Sequence, residues 1–69
     1  MTNLGIRIKQ LRKQKGWSQL RLAEYAGVSK TAIGDIETGV KTRLTKKQKI
    51  KISKALDVTT EELLLLEAH

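Results

Sequence analysis

Residues 18–37, SQLRLAEYAGVSKTAIGDIE, contain two short amphipathic helical patterns separated by a three-residue turn at 27–29. Two helices joined by so short a turn are typical of a helix-turn-helix. The crossing helices approach closely near the corner, so this geometry needs small side chains there, and Ala23, Ala26 and Gly27 supply them. The second helix of such a pair can lie in the major groove of DNA. The stretch therefore predicts a helix-turn-helix and indicates DNA as a partner.

The residues of the turn have separate predicted roles. Gly27 provides the left-handed backbone conformation that ends a helix, Val28 turns inward, and Ser29 caps the next helix. An apolar residue, then Ser or Thr, then a second apolar residue five positions after the first form a hydrophobic staple. This pattern opens three predicted helices, and its members are Trp17, Ser18 and Leu22; Val28, Ser29 and Ile33; and Val58, Thr59 and Leu63, where Glu62 completes a capping box.

The periodicity predicts an all-α chain. The first helix has Leu4, Ile8 and Leu11 at helical spacing, with Asn3 as its N-cap and Gly16 as its C-terminal stop. We expect five helices, at about residues 4–15, 18–26, 29–37, 45–56 and 59–67.

Length and composition exclude several classes of protein. Sixty-nine residues allow one domain, residues 1–69, with a small core. There is no cysteine and the one histidine is His69, so neither a metal site nor a cofactor is predicted. No apolar run approaches the roughly 20 residues of a membrane span, and the N-terminus lacks the apolar region of a secretory signal. These features favour a cytoplasmic protein.

The net charge of +7 is unevenly distributed along the chain. Residues 1–54 hold all 14 Lys and Arg against three acidic residues, a net charge of +11, whereas residues 55–69 have a net charge of −4. A basic body suits a polyanion such as nucleic acid, although solubility alone can also explain it. A membrane surface is another polyanion, but the basic segment 46–54 needs its apolar face for the core.

The second helix of the motif, at 30–37, is the predicted recognition helix. Its outward positions are Lys30, Thr31, Gly34 and Asp35, because the two isoleucines of the segment face the core. Lys30 can donate to guanine O6 and N7, Thr31 can contact a thymine methyl group or donate to a base, and Asp35 can accept from cytosine N4. Asp35 can instead repel phosphate and so act against wrong sites, or it can lie solvated at the edge of the groove. We predict these four residues as base contacts.

Five segments between residues 4 and 64 occur in an order and spacing that carry a family resemblance: LGIRIKQLR at 4–12, KGWSQ at 15–19, LAEYAGVS at 22–29, IETG at 36–39 and KISKALDVTTEELL at 51–64. Over this range the chain resembles the phage repressor and Cro type of helix-turn-helix domain, also called the xenobiotic-response-element-like family. The resemblance implies a five-helix, lambda-repressor-like fold. It also implies a sequence-specific transcriptional regulator, a small repressor that binds a two-fold symmetric operator as a homodimer with its third helix in the major groove.

The resemblance also assigns contacts with the DNA backbone. Gln19 begins the second helix, where a neutral amide can donate to a phosphate oxygen. The loop after Gly39 contacts phosphates in this family, although here it is about one residue longer than the common pattern and has no proline. Lys46, Lys47 and Lys49 either extend this basic tract or form a solvated face. The predicted phosphate contacts are Gln19, Ser29, Lys41, Thr42 and Arg43.

Two further features concern the scaffold. The resemblance places Arg12 and Glu37 together as a partly buried ion pair with a structural role.

Gly34 stands where the family usually has a larger polar residue, and glycine in a helix interior costs about 1 kcal/mol relative to alanine. Either the helix backbone approaches DNA closely at Gly34, or the weakness is tolerated.

The leucine run at 63–66 exceeds what one face of a short helix can bury. We predict Leu65, Leu66 and Ile50 as dimer contacts, since such proteins bind half-sites about one DNA turn apart. Alternatively, Leu66 and Ala68 belong to a tail that packs against the domain's own core.

The chain offers no nucleophile paired with a base, so an enzyme is not predicted, and Ser18 and Ser29 are explained as caps. It also has no room for a domain that binds a small molecule. Two alternatives to a repressor remain. One is a protein-interaction module, such as an antitoxin or the partner of an antirepressor, and the other is a controller protein of a restriction-modification operon.

Overall fold

A computed structural model describes residues 3–64. Within them the chain forms five α-helices and no strand, which confirms the predicted all-α fold with the second and third helices as the helix-turn-helix. The first helix begins at Asn3 itself, so Asn3 is not its N-cap as predicted, and residues 65–67 of the predicted fifth helix lie outside the described residues. The helices are α1 (Asn3–Gln14), α2 (Gln19–Ala26), α3 (Lys30–Thr38), α4 (Lys46–Ala55) and α5 (Thr60–Leu64).

Side-chain caps fix the starts of α2 and α3. The hydroxyl of Ser18 accepts from the Arg21 N–H at 3.0 Å, and that of Ser29 accepts from the Ala32 N–H at 3.1 Å. Each cap satisfies a backbone donor that has no partner inside its helix. The helices consequently begin one residue after the hydroxyl-bearing residues that the sequence pattern marks.

The full capping box lies at α4. The Thr45 hydroxyl accepts from the Gln48 N–H, and the Gln48 side-chain oxygen accepts from the Thr45 N–H, both at 3.1 Å. At α5 the Glu62 N–H donates to the Thr59 hydroxyl at 3.0 Å, but the Glu62 carboxylate accepts from that hydroxyl at 3.3 Å. The capping box predicted at Glu62 is therefore wrong, because the Glu62 carboxylate bonds the Thr59 hydroxyl and not the Thr59 N–H. The Thr-x-x-Gln pattern that starts at Thr45 could have predicted the box at α4.

Three helix connections share one three-residue design. A residue in the left-handed conformation is followed by an apolar residue and then by the Ser or Thr cap of the next helix. The N–H of the apolar residue donates to a carbonyl of the preceding helix, Val28 to Ala23 at 3.1 Å and Val58 to Ser53 at 3.0 Å. The apolar residues also pack against the core. The three connections are Gly16-Trp17-Ser18 (φ 72°), Gly27-Val28-Ser29 (φ 71°) and Asp57-Val58-Thr59 (φ 60°).

The core contains residues from all five helices and from the loop before α4. Helices α1 and α3 come into backbone contact at Gly5, where a Cβ placed on Gly5 would overlap the carbonyl oxygen of Ile36. The same Cβ would lie 3.1 Å from the Ile36 carbonyl carbon and 3.3 Å from the Glu37 Cα. Because these are backbone atoms, they cannot rotate away as a side chain can. Gly5 is therefore required where α1 crosses α3, which the sequence alone did not predict.

In the described part of the chain, none of the helices has the length and apolar character needed to cross a lipid bilayer.

Candidate nucleic-acid interface

The two sides of α3 differ sharply in exposure. Ile33 and Ile36 are fully buried in the core. Lys30 and Thr31 are exposed, whereas Asp35, on the outer side of the helix, is half-buried. The predicted division of this helix into a core side and an outer side is therefore present, and its first turn is the most accessible part.

Gly34 lies in the middle of α3 and is half-buried. A Cβ placed on it would meet only the side-chain oxygen of Gln19, at 3.7 Å, which is an ordinary van der Waals distance. The protein's own packing therefore does not require glycine at this position. Glycine does leave the outer surface of α3 without a side chain beside Gln19.

The structure contains the ion pair between Arg12 and Glu37. Arg12 Nε donates to Glu37 Oε2 and Arg12 Nη2 donates to Glu37 Oε1, both at 2.9 Å, while Arg12 Nη1 donates to the Trp17 carbonyl at 2.8 Å. Arg12 is 11% exposed and Glu37 only 2% exposed. Two parallel bonds to a carboxylate are the strong form of this interaction. The pair joins α1 to the last turn of α3 and to the connection between α1 and α2.

The hydrogen bond with Glu37 is the main cause that raises the pKa of Arg12, and desolvation opposes it. A raised pKa means that the folded state favours the charged guanidinium. The stabilisation is therefore fully present below the pKa of arginine in the unfolded chain and is lost only as the pH rises through the folded value. The Arg12 guanidinium is therefore charged throughout the pH range in which DNA binding is measured.

Gln19 is attached to this ion pair. Its Nε2 donates to Glu37 Oε1 at 3.3 Å, and its side chain is half-buried. The sequence predicted Gln19 only as a phosphate contact, and no local motif signals a bond between residues 18 positions apart. The first residue of α2 is thus bonded to the last turn of α3.

The loop between α3 and α4 folds back on α3. The Lys41 N–H donates to the Asp35 carbonyl at 3.0 Å, and Lys41, Thr42 and Arg43 are all exposed. An open cleft of about 360 Å³ lies between this loop, α1 and α4, and it is lined by Leu4, Thr42, Arg43, Leu44 and Lys49. The predicted loop cations are therefore accessible, and Lys41 is held beside α3.

The N-termini of the helices separate into two electrostatic types. Helices α2, α3 and α4 have no acidic residue in their first turns, whereas the first turn of α5 contains Glu61 and Glu62. The first turn of α4 instead contains Lys46 and Lys47. Lysines oppose the positive end of a helix dipole, so their placement is unfavourable for the isolated helix and favourable for an anion bound nearby.

An aromatic stack joins the connection before α2 to α2 itself. The rings of Trp17 and Tyr25 stack with centroids 4.6 Å apart. Lys15 Nζ lies 5.3 Å from the Trp17 ring and Arg21 Cζ lies 5.9 Å from the Tyr25 ring. Cations near aromatic faces are weakly stabilising. The sequence predicted Trp17 only as a staple and did not predict this contact.

Of the predicted dimer contacts, Ile50 lies on α4 and is 39% exposed. Leu65 and Leu66, and the alternative tail residue Ala68, lie outside the described residues.

Together, the three-residue turn, the buried inner side of α3 and its accessible outer side define a helix-turn-helix domain. The family model described as helix-turn-helix matches residues 8–63. The chain belongs to this family, in its phage repressor and Cro type.

Relatives with known names and structures agree with this assignment. The HTH-type transcriptional regulator SinR of Bacillus subtilis is 44% identical over 61 residues, which are 88% of this chain and 55% of SinR. The chain thus spans about half the length of this relative. The solved N-terminal DNA-binding domain of SinR has a TM-score of 0.85 at 44% identity, with 88% of each chain covered.

Two further solved structures are similar. One is SinR in complex with DNA, with a TM-score of 0.85 at 44% identity, covering 88% of this chain and 97% of that one. The other is the restriction-modification controller protein C.AhdI from Aeromonas hydrophila, with a TM-score of 0.81 at 33% identity, covering 87% and 89%. The transcriptional regulator SinR and the controller protein C.AhdI therefore share this fold and its helix-turn-helix.

Proposed function

We propose that this chain is the DNA-reading part of a transcriptional regulator and binds double-stranded DNA with α3 in the major groove. The accessible first turn of α3, with Lys30 and Thr31 exposed and the isoleucines of the same helix in the core, carries the proposal. The similarity to SinR, which has a solved complex with DNA, supports it.

In this proposal α3 supplies the base contacts and the surrounding elements supply the phosphate contacts. Lys30, Thr31 and Asp35 reach base edges, and Gly34 lets the helix backbone approach them. The hydroxyl of Ser29 accepts from the Ala32 N–H, so its hydrogen remains available to donate to a phosphate. The other phosphate contacts are Gln19, Lys41, Thr42 and Arg43, with the lysine-rich start of α4 adding positive charge.

We also propose that the regulator acts as a homodimer on a two-fold symmetric operator and represses by occupying it. The exposed Ile50 on α4, together with Leu65 and Leu66, supplies the proposed contact between protomers. Equilibrium sedimentation over a range of concentrations, with and without operator, tests this point. A monomer mass at all concentrations, both free and on DNA, would refute the dimer.

The proposed setting is the cytoplasm of a bacterium or of a phage host, where the operator is accessible. The proposal includes no catalysis, no cofactor and no small-molecule ligand. A controller protein of a restriction-modification operon is a second candidate, favoured by the likeness to C.AhdI. The genes beside this one distinguish the two, because a controller gene adjoins an endonuclease and a methyltransferase.

Selection of binding sites from random duplexes tests the proposed function directly. We expect a two-fold symmetric site with half-sites about one helical turn apart. The affinity for that site should fall steeply with salt, with a log–log slope of about −0.9 for each neutralised phosphate. Failure to enrich any sequence, or an affinity indifferent to sequence at moderate salt, would refute the proposal and favour a protein-interaction module.

A further inference from the structure

The side-chain amide of Gln19 is held in one orientation by a buried carboxylate. Glu37 is 2% exposed, and its two oxygens already accept hydrogen bonds from Arg12. An ionised carboxylate accepts hydrogen bonds but cannot donate them. Gln19 must therefore point its amino group at Glu37, as the 3.3 Å distance from Nε2 to Oε1 shows.

This orientation places the side-chain oxygen of Gln19 beside Gly34 of α3. Apart from the neighbouring residues and backbone of α3 itself, Gln19 Oε1 is the atom nearest to the position that a Cβ on Gly34 would occupy, at 3.7 Å. Because Gly34 has no side chain, nothing at that position covers the oxygen. A longer residue at 34 would lie against it.

The two ends of the amide have different uses on DNA. One N–H of Gln19 is bonded to Glu37, and the other remains to donate to a phosphate, as in the proposed function. The oxygen cannot bind phosphate, because phosphate oxygens only accept hydrogen bonds. In the major groove the donors on base edges are the exocyclic amino groups, N6 of adenine and N4 of cytosine.

We infer that Gln19 Oε1 reads the exocyclic amino group of one base in each half-site, and that Glu37 is the positioning residue that turns this oxygen toward the groove. The inference rests on the proposed function, since it requires α3 to lie in the major groove. It adds Gln19 and Glu37 to the residues that determine specificity, and it gives Gly34 the role of leaving the oxygen uncovered.

The experiment measures binding of the full chain to the selected operator and to all its single base-pair substitutions. Gln19→Ala should abolish the preference at one base pair per half-site, by roughly 10-fold, and leave the other preferences intact. Replacing the recognised adenine by purine, or the recognised cytosine by 2-pyrimidinone, removes only the amino group. This change should weaken binding of the unaltered protein by the same factor and have no further effect on Gln19→Ala.

Gln14→Ala is the matched control, because Gln14 is an exposed glutamine at the end of α1. It should preserve every base preference. An equal loss of affinity of Gln19→Ala for all operator variants would overturn the inference, since it would show a phosphate contact alone. That outcome leaves the proposed function standing, whereas failure to select any operator refutes the proposed function itself.

Glu37→Gln tests the positioning role, because a neutral amide at 37 can also donate and so lets Gln19 turn over. It should relax the preference at the same base pair as Gln19→Ala, with folding verified by circular dichroism. Gly34→Ser provides the same test without disturbing the ion pair, since its side chain would lie against Gln19 Oε1. Retained preference at that base pair in a folded Glu37→Gln variant, or in Gly34→Ser, would overturn the inference.

Discussion

A glycine lies on each side of α3, Gly5 of α1 on the inner side and Gly34 of α3 itself on the outer side. The fold requires only one of them. On the inner side, Gly5 of α1 lies against the backbone of Ile36, where a Cβ has no room. On the outer side, Gly34 has only the oxygen of Gln19 near the position of a Cβ, at an ordinary contact distance. The first glycine is required by the fold. The second is free of that requirement, and the proposed function explains it by close approach of α3 to DNA.

Arg12→Ala should lower the stability of the domain more than any other change, and it acts on the inner side of α3. It leaves the buried Glu37 carboxylate without its cation and the Trp17 carbonyl without a donor. Removing one member of a buried pair costs about 3–5 kcal/mol, a large part of the stability of a small domain. Urea unfolding measures the loss, and Lys13→Ala, an exposed cation of α1, should change stability by less than about 0.5 kcal/mol. Normal melting of Arg12→Ala with lost DNA binding would contradict a structural role.

Gly5→Ala should be the next most damaging change, although it adds one methyl group. The new Cβ forces α1 away from the Ile36 carbonyl, and such overpacking costs about 1–3 kcal/mol. Thermal unfolding should show a clear drop in Tm. An unchanged Tm would mean that α1 and α3 can separate at their crossing without cost.

Lys30→Ala changes the outer side and should leave stability within about 0.5 kcal/mol, because the side chain is exposed. Loss of a good base contact should weaken operator binding by roughly 10-fold and relax one base preference. Lys54→Ala, an exposed lysine near the end of α4, is the matched control for lost charge. Equal effects of the two variants would assign Lys30 to general electrostatics.

Gly34→Ala should change stability by less than Gly5→Ala and in the opposite direction. Alanine favours the helix by about 1 kcal/mol, so Tm should rise by roughly 4–8 °C. Operator affinity should fall, because in the proposed complex the methyl group would lie between α3 and the bases and beside the Gln19 oxygen. An unaltered affinity for the operator would refute the hypothesis that the backbone of α3 approaches DNA closely at Gly34.

The sequence predicts those parts of this fold that depend on local chemistry. Cap residues such as Ser18 and Ser29 mark their helices within one residue, because a cap and its helix are neighbours in the chain. Resemblance to a family was needed to pair Arg12 with Glu37. The close approach at Gly5 and the bond from Gln19 to Glu37 were not predicted, because they depend on how the helices cross. Asp57 in the left-handed conformation was missed as well, since glycine is the usual residue there.

The three-residue connections have a consequence for the order of folding. Trp17, Val28 and Val58 each close the helix behind them and, as staple residues, help to start the helix ahead. Their partners are only five residues away on either side, so little chain entropy is lost in making these contacts. The contact of Gly5 with Ile36 must instead close a loop from residue 5 to residue 36, which is 31 positions along a chain of 69. We therefore expect helix pairs to form early around the connections, and α1 to dock on α3 late, in a molecule whose many local contacts favour rapid folding.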